Sequence, residues 1–201
     1  MTQLIILISI VLGGIAIDQI TKAIVVSQME IGESVAVIPE FLHITSWRNT
    51  GIAFGWLGDS DAGRVVYMIV STLAIIAIGV YLFGFCKERM LLKVGLSMIV
   101  SGGIGNMIDR IFRPDGVVDM IDFCGIWDYI FNVADSLVCV GAGIVILALI
   151  LDIIKSSKKK KDEGENKEAE NTSNESPKQE EIAPQAIEDS PTSEEKTDAS
   201  N

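Results

Sequence analysis

The sequence predicts an α-helical membrane protein with four transmembrane helices, a small β-sheet and loop on the outer membrane surface, and a disordered C-terminal tail. Three observations carry that expectation. Of the 201 residues, 49% are hydrophobic, and the mean hydropathy is +0.40. Apolar residues gather into four long runs, near 4–26, 65–85, 90–111 and 134–154. Each reaches the roughly 20 residues that a helix needs to cross the hydrocarbon core. Charge is confined as well. Residues 162–201 hold thirteen acidic residues and three lysines, leaving fourteen acidic and thirteen basic residues for 1–161. The formal net charge of −11 therefore belongs to the tail and indicates no nucleic-acid partner.

The first run follows only Met-Thr-Gln, has no basic residues ahead of it, and is too long for the apolar part of a signal peptide, so it reads as a span. The loop 27–64 contains FLHITSWR, in which Phe41, His43, Thr45 and Trp47 alternate with Leu42, Ile44, Ser46 and Arg48. That period of two predicts a strand over 41–48, with Pro39 before it and Gly51, Gly55 and Gly58 after it. Phe54, Trp47 and Trp56 suit the membrane interface. Lys87, Arg89 and Lys93 follow the second run, and Lys155 and Lys158 to Lys161 follow the fourth. The positive-inside rule then puts both termini in the cytoplasm and turns 27–64 and 112–133 outward. Residues 1–155 are expected to form the membrane domain. Residues 156–201 are a basic juxtamembrane segment and an acidic cytoplasmic tail whose composition cannot offset the entropy of ordering.

Several chemistries lack their residues. Cys86, Cys124 and Cys139 have no CxxC spacing, the single histidine makes no metal cluster, and no glycine-rich phosphate loop occurs. No metal and no cofactor are expected. What stands out is a set of ionisable and amide residues at one membrane depth, since such residues are costly in lipid. Asp18 lies late in the first span, Asn106, Asp109 and Arg110 share a face at the outer end of the third, and Asn132 and Asp135 open the fourth. Ser101, Gly102, Gly103 and Gly105 permit a close helix neighbour. GVVDMIDF adds Asp119 and Asp122, in an apolar segment able to fold back on the outer surface.

Plainer roles exist for each residue. Asp135 could complement the positive end of its helix. Asp18 could pair with Lys22 at i+4, with Lys22 reaching the interface. Asp109 and Arg110 could form a packing ion pair, Asp122 and Asp128 could be solvated loop charges, and His43 could be structural. None of these explains the common depth. Two carboxylates held close share one proton, and the ionised member can take a proton from water while the other donates to a carbonyl oxygen. That is aspartyl peptide hydrolysis. By helical pitch alone, Asp109 rivals Asp119 as the partner of Asp135.

DQITK (18–22), RNTGIAFG (48–55), GGIGNMIDR (102–110), GVVDMIDF (116–123) and FNVADS (131–136) occur in that order across four spans. Together they closely resemble the lipoprotein signal peptidases (signal peptidase II, aspartyl peptidase family A8), over about residues 4–155. The resemblance implies Asp119 and Asp135 as the catalytic pair, with Asp18, Asn49, Asn106, Asp109, Arg110 and Asn132 as supporting, substrate-binding residues. It implies cleavage of bacterial prolipoproteins immediately before a diacylglyceryl-modified cysteine and inhibition by globomycin. It also implies a monomer in the cytoplasmic (inner) membrane, contacting membrane lipid, with its site toward the outer leaflet. A small ion-coupled transporter or a non-catalytic assembly subunit are the rival classes. The nearly uncharged cytoplasmic halves of the spans argue against a transport path.

Overall fold

The computed structural model describes residues 2–50, 61–84 and 89–174. In chain order these form α1 (Thr2–Gln28), β1 (Ser34–Ile38), β2 (Leu42–Asn49), α2 (Asp61–Gly84), α3 (Met90–Phe112), β3 (Val117–Asp122), β4 (Ile130–Phe131) and α4 (Val133–Asn174). The chain divides into two units, Met1–Ser156 and Ser157–Asn201, and the packed helices and the sheet lie in the first.

Four helices occur in the expected order. Thr2–Gln28, Met90–Phe112 and Val133–Lys159 are long and apolar enough to cross a membrane, and α2 contributes a shorter apolar stretch, Met68–Leu82. Their outward faces are apolar: Leu12, Ile17, Leu73, Ile146 and Ile153 are all exposed. The interior, by contrast, holds Asp18, Lys22, Ser101, Asn106, Asp109 and Asn132 buried. Apolar outside and polar inside is the arrangement that lipid favours. One apolar core draws on every helix, with Leu7 of α1, Leu82 of α2, Leu92 and Leu96 of α3 and Ala148 of α4.

Small residues set the closest helix contacts. A Cβ placed on Gly102 would collide with the carbonyl oxygen of Ala134, and the Cβ positions of Gly95 and Gly141 lie 2.8 and 2.7 Å from each other's carbonyl oxygens. The backbones of α3 and α4 therefore touch along their length. Ser101 donates to the Val11 carbonyl at 2.9 Å, which joins α3 to α1.

The four strands form one antiparallel sheet in the order β1-β2-β3-β4. The strand expected at 41–48 is β2. The other three strands were not evident in the sequence, and GVVDMIDF, expected only to fold back, is β3. Its residues Val117 to Met120 are buried consecutively, so no polar alternation marks it. β1 reads SVAVI and is exposed throughout, and β4 has two residues. Gly116 opens β3 with φ +108, and a Cβ there would lie 2.6 Å from the Asn49 carbonyl oxygen. Val118 and Met120 pack on Val25 of α1, which docks the sheet on one end of that helix.

α4 continues to Asn174, well past the expected end near 154. Its extension is rich in Lys and Glu and meets no proline before Pro177, a composition compatible with helix. The helix thus takes in the basic juxtamembrane segment and the first part of the acidic tail, to Asn174, and residues 175–201 lie outside the described residues. So do Phe54, Trp56 and residues 51–55 of RNTGIAFG.

Candidate active site

The site is built where α4 begins. Asn132 caps this helix, its side-chain oxygen accepting the Asp135 amide at 2.9 Å. Asp135 Oδ2 reciprocates by accepting the Asn132 amide at 3.1 Å. This is a capping box, with an amide and a carboxylate in its two places. Asp18 of α1 accepts the Ala134 amide on Oδ1 at 2.9 Å, so the side chains of Asn132, Asp135 and Asp18 together satisfy open N–H groups at one helix end.

Asp119 arrives from β3 and is buried. Asn132 Nδ2 donates to Asp119 Oδ1 at 2.6 Å, and Asn49 Nδ2, at the end of β2, donates to Asp119 Oδ2 at 3.0 Å. Asp135 Oδ1 in turn accepts from Asn106 Nδ2 at 2.7 Å. Asn132 therefore touches both carboxylates, one by its side chain and the other by its backbone. Burial, and then the nearby Asp135 charge, push the Asp119 carboxyl up to about 6, against the lowering effect of its amide donors and of Lys22.

Behind the carboxylates lies a cation. Lys22 is 0% exposed, so it does not reach the interface as its place near the end of α1 suggested. Its ammonium sits 2.8 Å from Asp18 Oδ2, 3.0 Å from Asp109 Oδ2 and 3.1 Å from Asn106 Oδ1. The last contact has a chemical consequence. Because Asn106 Oδ1 accepts from both Lys22 and Asn132 Nδ2, its NH₂ must be the end that faces Asp135. Asn132 is oriented in the same way, since its oxygen holds the Asp135 amide. Both side-chain amides can only donate to the carboxylates.

The remaining expected residues are accounted for individually. Asp109 holds Lys22, Arg113 at 3.1 Å and the Val118 amide at 3.2 Å; its ion pairs run to Lys22 and Arg113 rather than to Arg110. It thereby anchors the start of β3 instead of facing Asp135. Arg110 Nη1 donates to the Asn106 carbonyl at 3.2 Å. Asp122, expected to be solvated, accepts from Thr45 at 2.8 Å, whereas Asp128 is exposed. Gln19 was not anticipated: its amide reaches Asp18, the Gly105 carbonyl and Asp109. The Asp18–Lys22 pairing at i+4 is as the sequence suggested, but the pair is buried rather than reaching the interface. Among the described residues no group of three His, Cys, Asp or Glu side chains is placed to hold a metal ion.

The family model for signal peptidase (SPase) II matches residues 10–151. The lipoprotein signal peptidase of Fusobacterium nucleatum is 46% identical over 149 residues, covering 72% of this chain and 84% of that protein. The lipoprotein signal peptidase of Bacillus subtilis is 42% identical over 152 residues, covering 74% and 94%. A bacterial membrane enzyme solved by the in meso method at 2.3 Å resolution superposes with a TM-score of 0.66 at 36% identity, over 73% of this chain and 88% of the other. With capped carboxylates, an apolar exterior and these relatives, the chain belongs to the signal peptidase II family.

Proposed function

We propose that the chain is an aspartic endopeptidase that removes signal peptides from bacterial prolipoproteins, cutting before a diacylglyceryl-modified cysteine, with Asp119 and Asp135 as its catalytic pair. One observation carries the assignment: two carboxylates from different elements are joined through Asn132, and the titration of one is raised to about 6 by burial and by the other's charge. A pair of this kind holds a single proton between its members and titrates as a unit. In that state one carboxylate draws a proton from water as the water attacks the scissile carbonyl, and the other donates a proton to the carbonyl oxygen. Donor-only amides from Asn49, Asn106 and Asn132 hold both carboxylates in place while the proton moves.

The same reading gives the supporting residues their roles. Asp18, Asp109 and Lys22 form the buried ionic floor, and Arg110 stands on the α3 turn that carries Asn106. Residues 1–155 make up the peptidase and 156–201 a cytoplasmic extension. Both termini face the cytoplasm of the cell, and the sheet lies at the outer leaflet of the inner membrane, where a lipid-anchored cysteine would present its bond. An apolar groove of about 290 Å³ between α2 and α3, lined by Val65, Met68, Leu73, Met107 and Ile111 among others, suits the apolar part of such a substrate.

Purified protein in lipid, mixed with a diacylglyceryl-modified prolipoprotein, tests the reading. Cleavage before the modified cysteine, blocked by globomycin, is the expected result. Cleavage that globomycin does not block, or equal cleavage of the unmodified precursor, would count against the substrate assignment.

A further inference from the structure

A second chain of polar groups crosses the sheet outside the carboxylate pair. Thr45 of β2 donates its hydroxyl to Asp122 Oδ2 of β3 at 2.8 Å. Ser34 Oγ of β1 lies 2.8 Å from Thr45 Oγ1 and 3.3 Å from His43 Nδ1. Each hydroxyl owns one proton, and a carboxylate only accepts. Thr45 has committed its proton to Asp122, so Ser34 is the donor to Thr45. Ser34 then has none left for the imidazole, and His43 Nδ1 must itself carry a hydrogen. Every proton in the chain points one way, from the ring to the Asp122 carboxylate.

We propose that His43, Ser34, Thr45 and Asp122 form a one-way hydrogen-bond chain that clamps β1, β2 and β3 together and so positions Asp119. The register supports this. Ser34 pairs with Thr45, His43 pairs with Asp122, and Trp47 pairs with Asp119, with a register shift between Ile44 and Trp47. An irregular ladder is where a strand can slip, and a slip of one residue turns every side chain to the other face. The chain fastens the ladder at Thr45, inside the irregular stretch, and at the His43–Asp122 pair on its far side from Asp119. Its positioning role rests on Asp119 being catalytic; its polarity does not.

The arrangement also fixes how the clamp responds to acid. Asp122 is the carboxylate facing His43 across the β2–β3 pair, and burial and then the Asp122 charge push the neighbouring Cys124 thiol up. β1 presents no titratable residue, the Glu33 carboxylate before it accepts the Glu30 amide, and Glu40 lies in the turn to β2. A proton added at Nε2 leaves the Nδ1 donor in place and sets a cation in line with the Asp122 anion. Loss of that proton keeps the clamp only if the remaining hydrogen stays on Nδ1 rather than Nε2.

His43 is the sole histidine of the chain, so the nitrogen chemical shifts of ¹⁵N-histidine in the full-length protein in lipid nanodiscs report the ring unambiguously. The neutral ring should carry its hydrogen on Nδ1 in about fivefold excess. Ser34→Ala, at an exposed position, and Thr45→Val should each abolish that excess, and Thr45→Ser should keep it. An Nε2–H majority in the unmodified protein, or an unchanged ratio in Ser34→Ala and Thr45→Val, overturns the chain. For the positioning role, kcat of Thr45→Val should fall about three- to tenfold with KM kept, and Thr45→Ser should restore it. An undiminished kcat in Thr45→Val overturns the positioning role. Normal cleavage by Asp119→Asn would instead locate the failure in the catalytic assignment, while the ring ratio stands on its own.

Discussion

Residue by residue, the site assigns one side chain two jobs. Asp135 closes the capping box of α4 with Oδ2 and receives Asn106 with Oδ1, so its role as cap and its proposed role as catalyst use different oxygens. Asp119→Asn or Asp135→Asn should lower prolipoprotein cleavage by at least about 10²-fold in a purified assay, with the protein still inserted. Asp122→Asn should change it by no more than about threefold, because an Asn oxygen can still accept the Thr45 hydroxyl. The raised titration of Asp119 predicts a pH profile. The one-proton state is present below about 6 and lost as pH rises through it, so kcat/KM should decline above about pH 6. Folding also takes up a proton between the ordinary value of 3.8 and about 6, which makes this group favour the folded state less as pH rises across that window. In Asp135→Asn, the carboxyl ¹³C shift of Asp119 should titrate lower. In the sequence, Asp135 stood out by its membrane depth and Asp119 only through the motif resemblance. The sequence anticipated the Asp18–Lys22 pair but not its burial or its contacts with Asp109 and Asn106, because a lysine late in a span fits a snorkelling side chain just as well.

At the scale of elements, helices were legible and most strands were not. A span announces itself by twenty apolar residues, but β3 is buried on both faces and β1 on neither, and only around β2 did the sequence show a period of two. The path of β3, and with it the choice between Asp109 and Asp119, depends on pairing with β2 some seventy residues away, which no local pattern encodes. Helix contacts, in turn, depend on particular glycines. Gly102→Ala drives a methyl group into the Ala134 carbonyl, one residue before Asp135. It should cost on the order of 1–3 kcal/mol in stability and reduce cleavage, whereas Gly143→Ala, with nothing within 4 Å, should do neither. Denaturation of the two variants in the same detergent provides the comparison.

For the molecule as a whole, the interior is ionic and the exterior is greasy. Removing one member of the buried Asp18–Lys22–Asp109 set leaves two carboxylates without their central cation. Lys22→Met should therefore destabilise the protein by about 3–5 kcal/mol, read as a loss of folded protein on extraction, and Lys22→Arg should lose less. Residues 162–201 are too charged and too poor in apolar side chains to build a core of their own, so truncation after Lys161 should leave cleavage of a diacylglyceryl-modified precursor within about twofold of the full chain. A larger loss would give the extension a role in catalysis. The short contact between Asp18 and the Ala134 amide ties the first membrane helix to the last. A chain still emerging during synthesis has its DQITK segment long before FNVADS exists, and until α4 has arrived there is no helix end for Asp18 to hold and no place for the second carboxylate. On the proposed assignment, the carboxylate pair is complete only once the final span has joined the first.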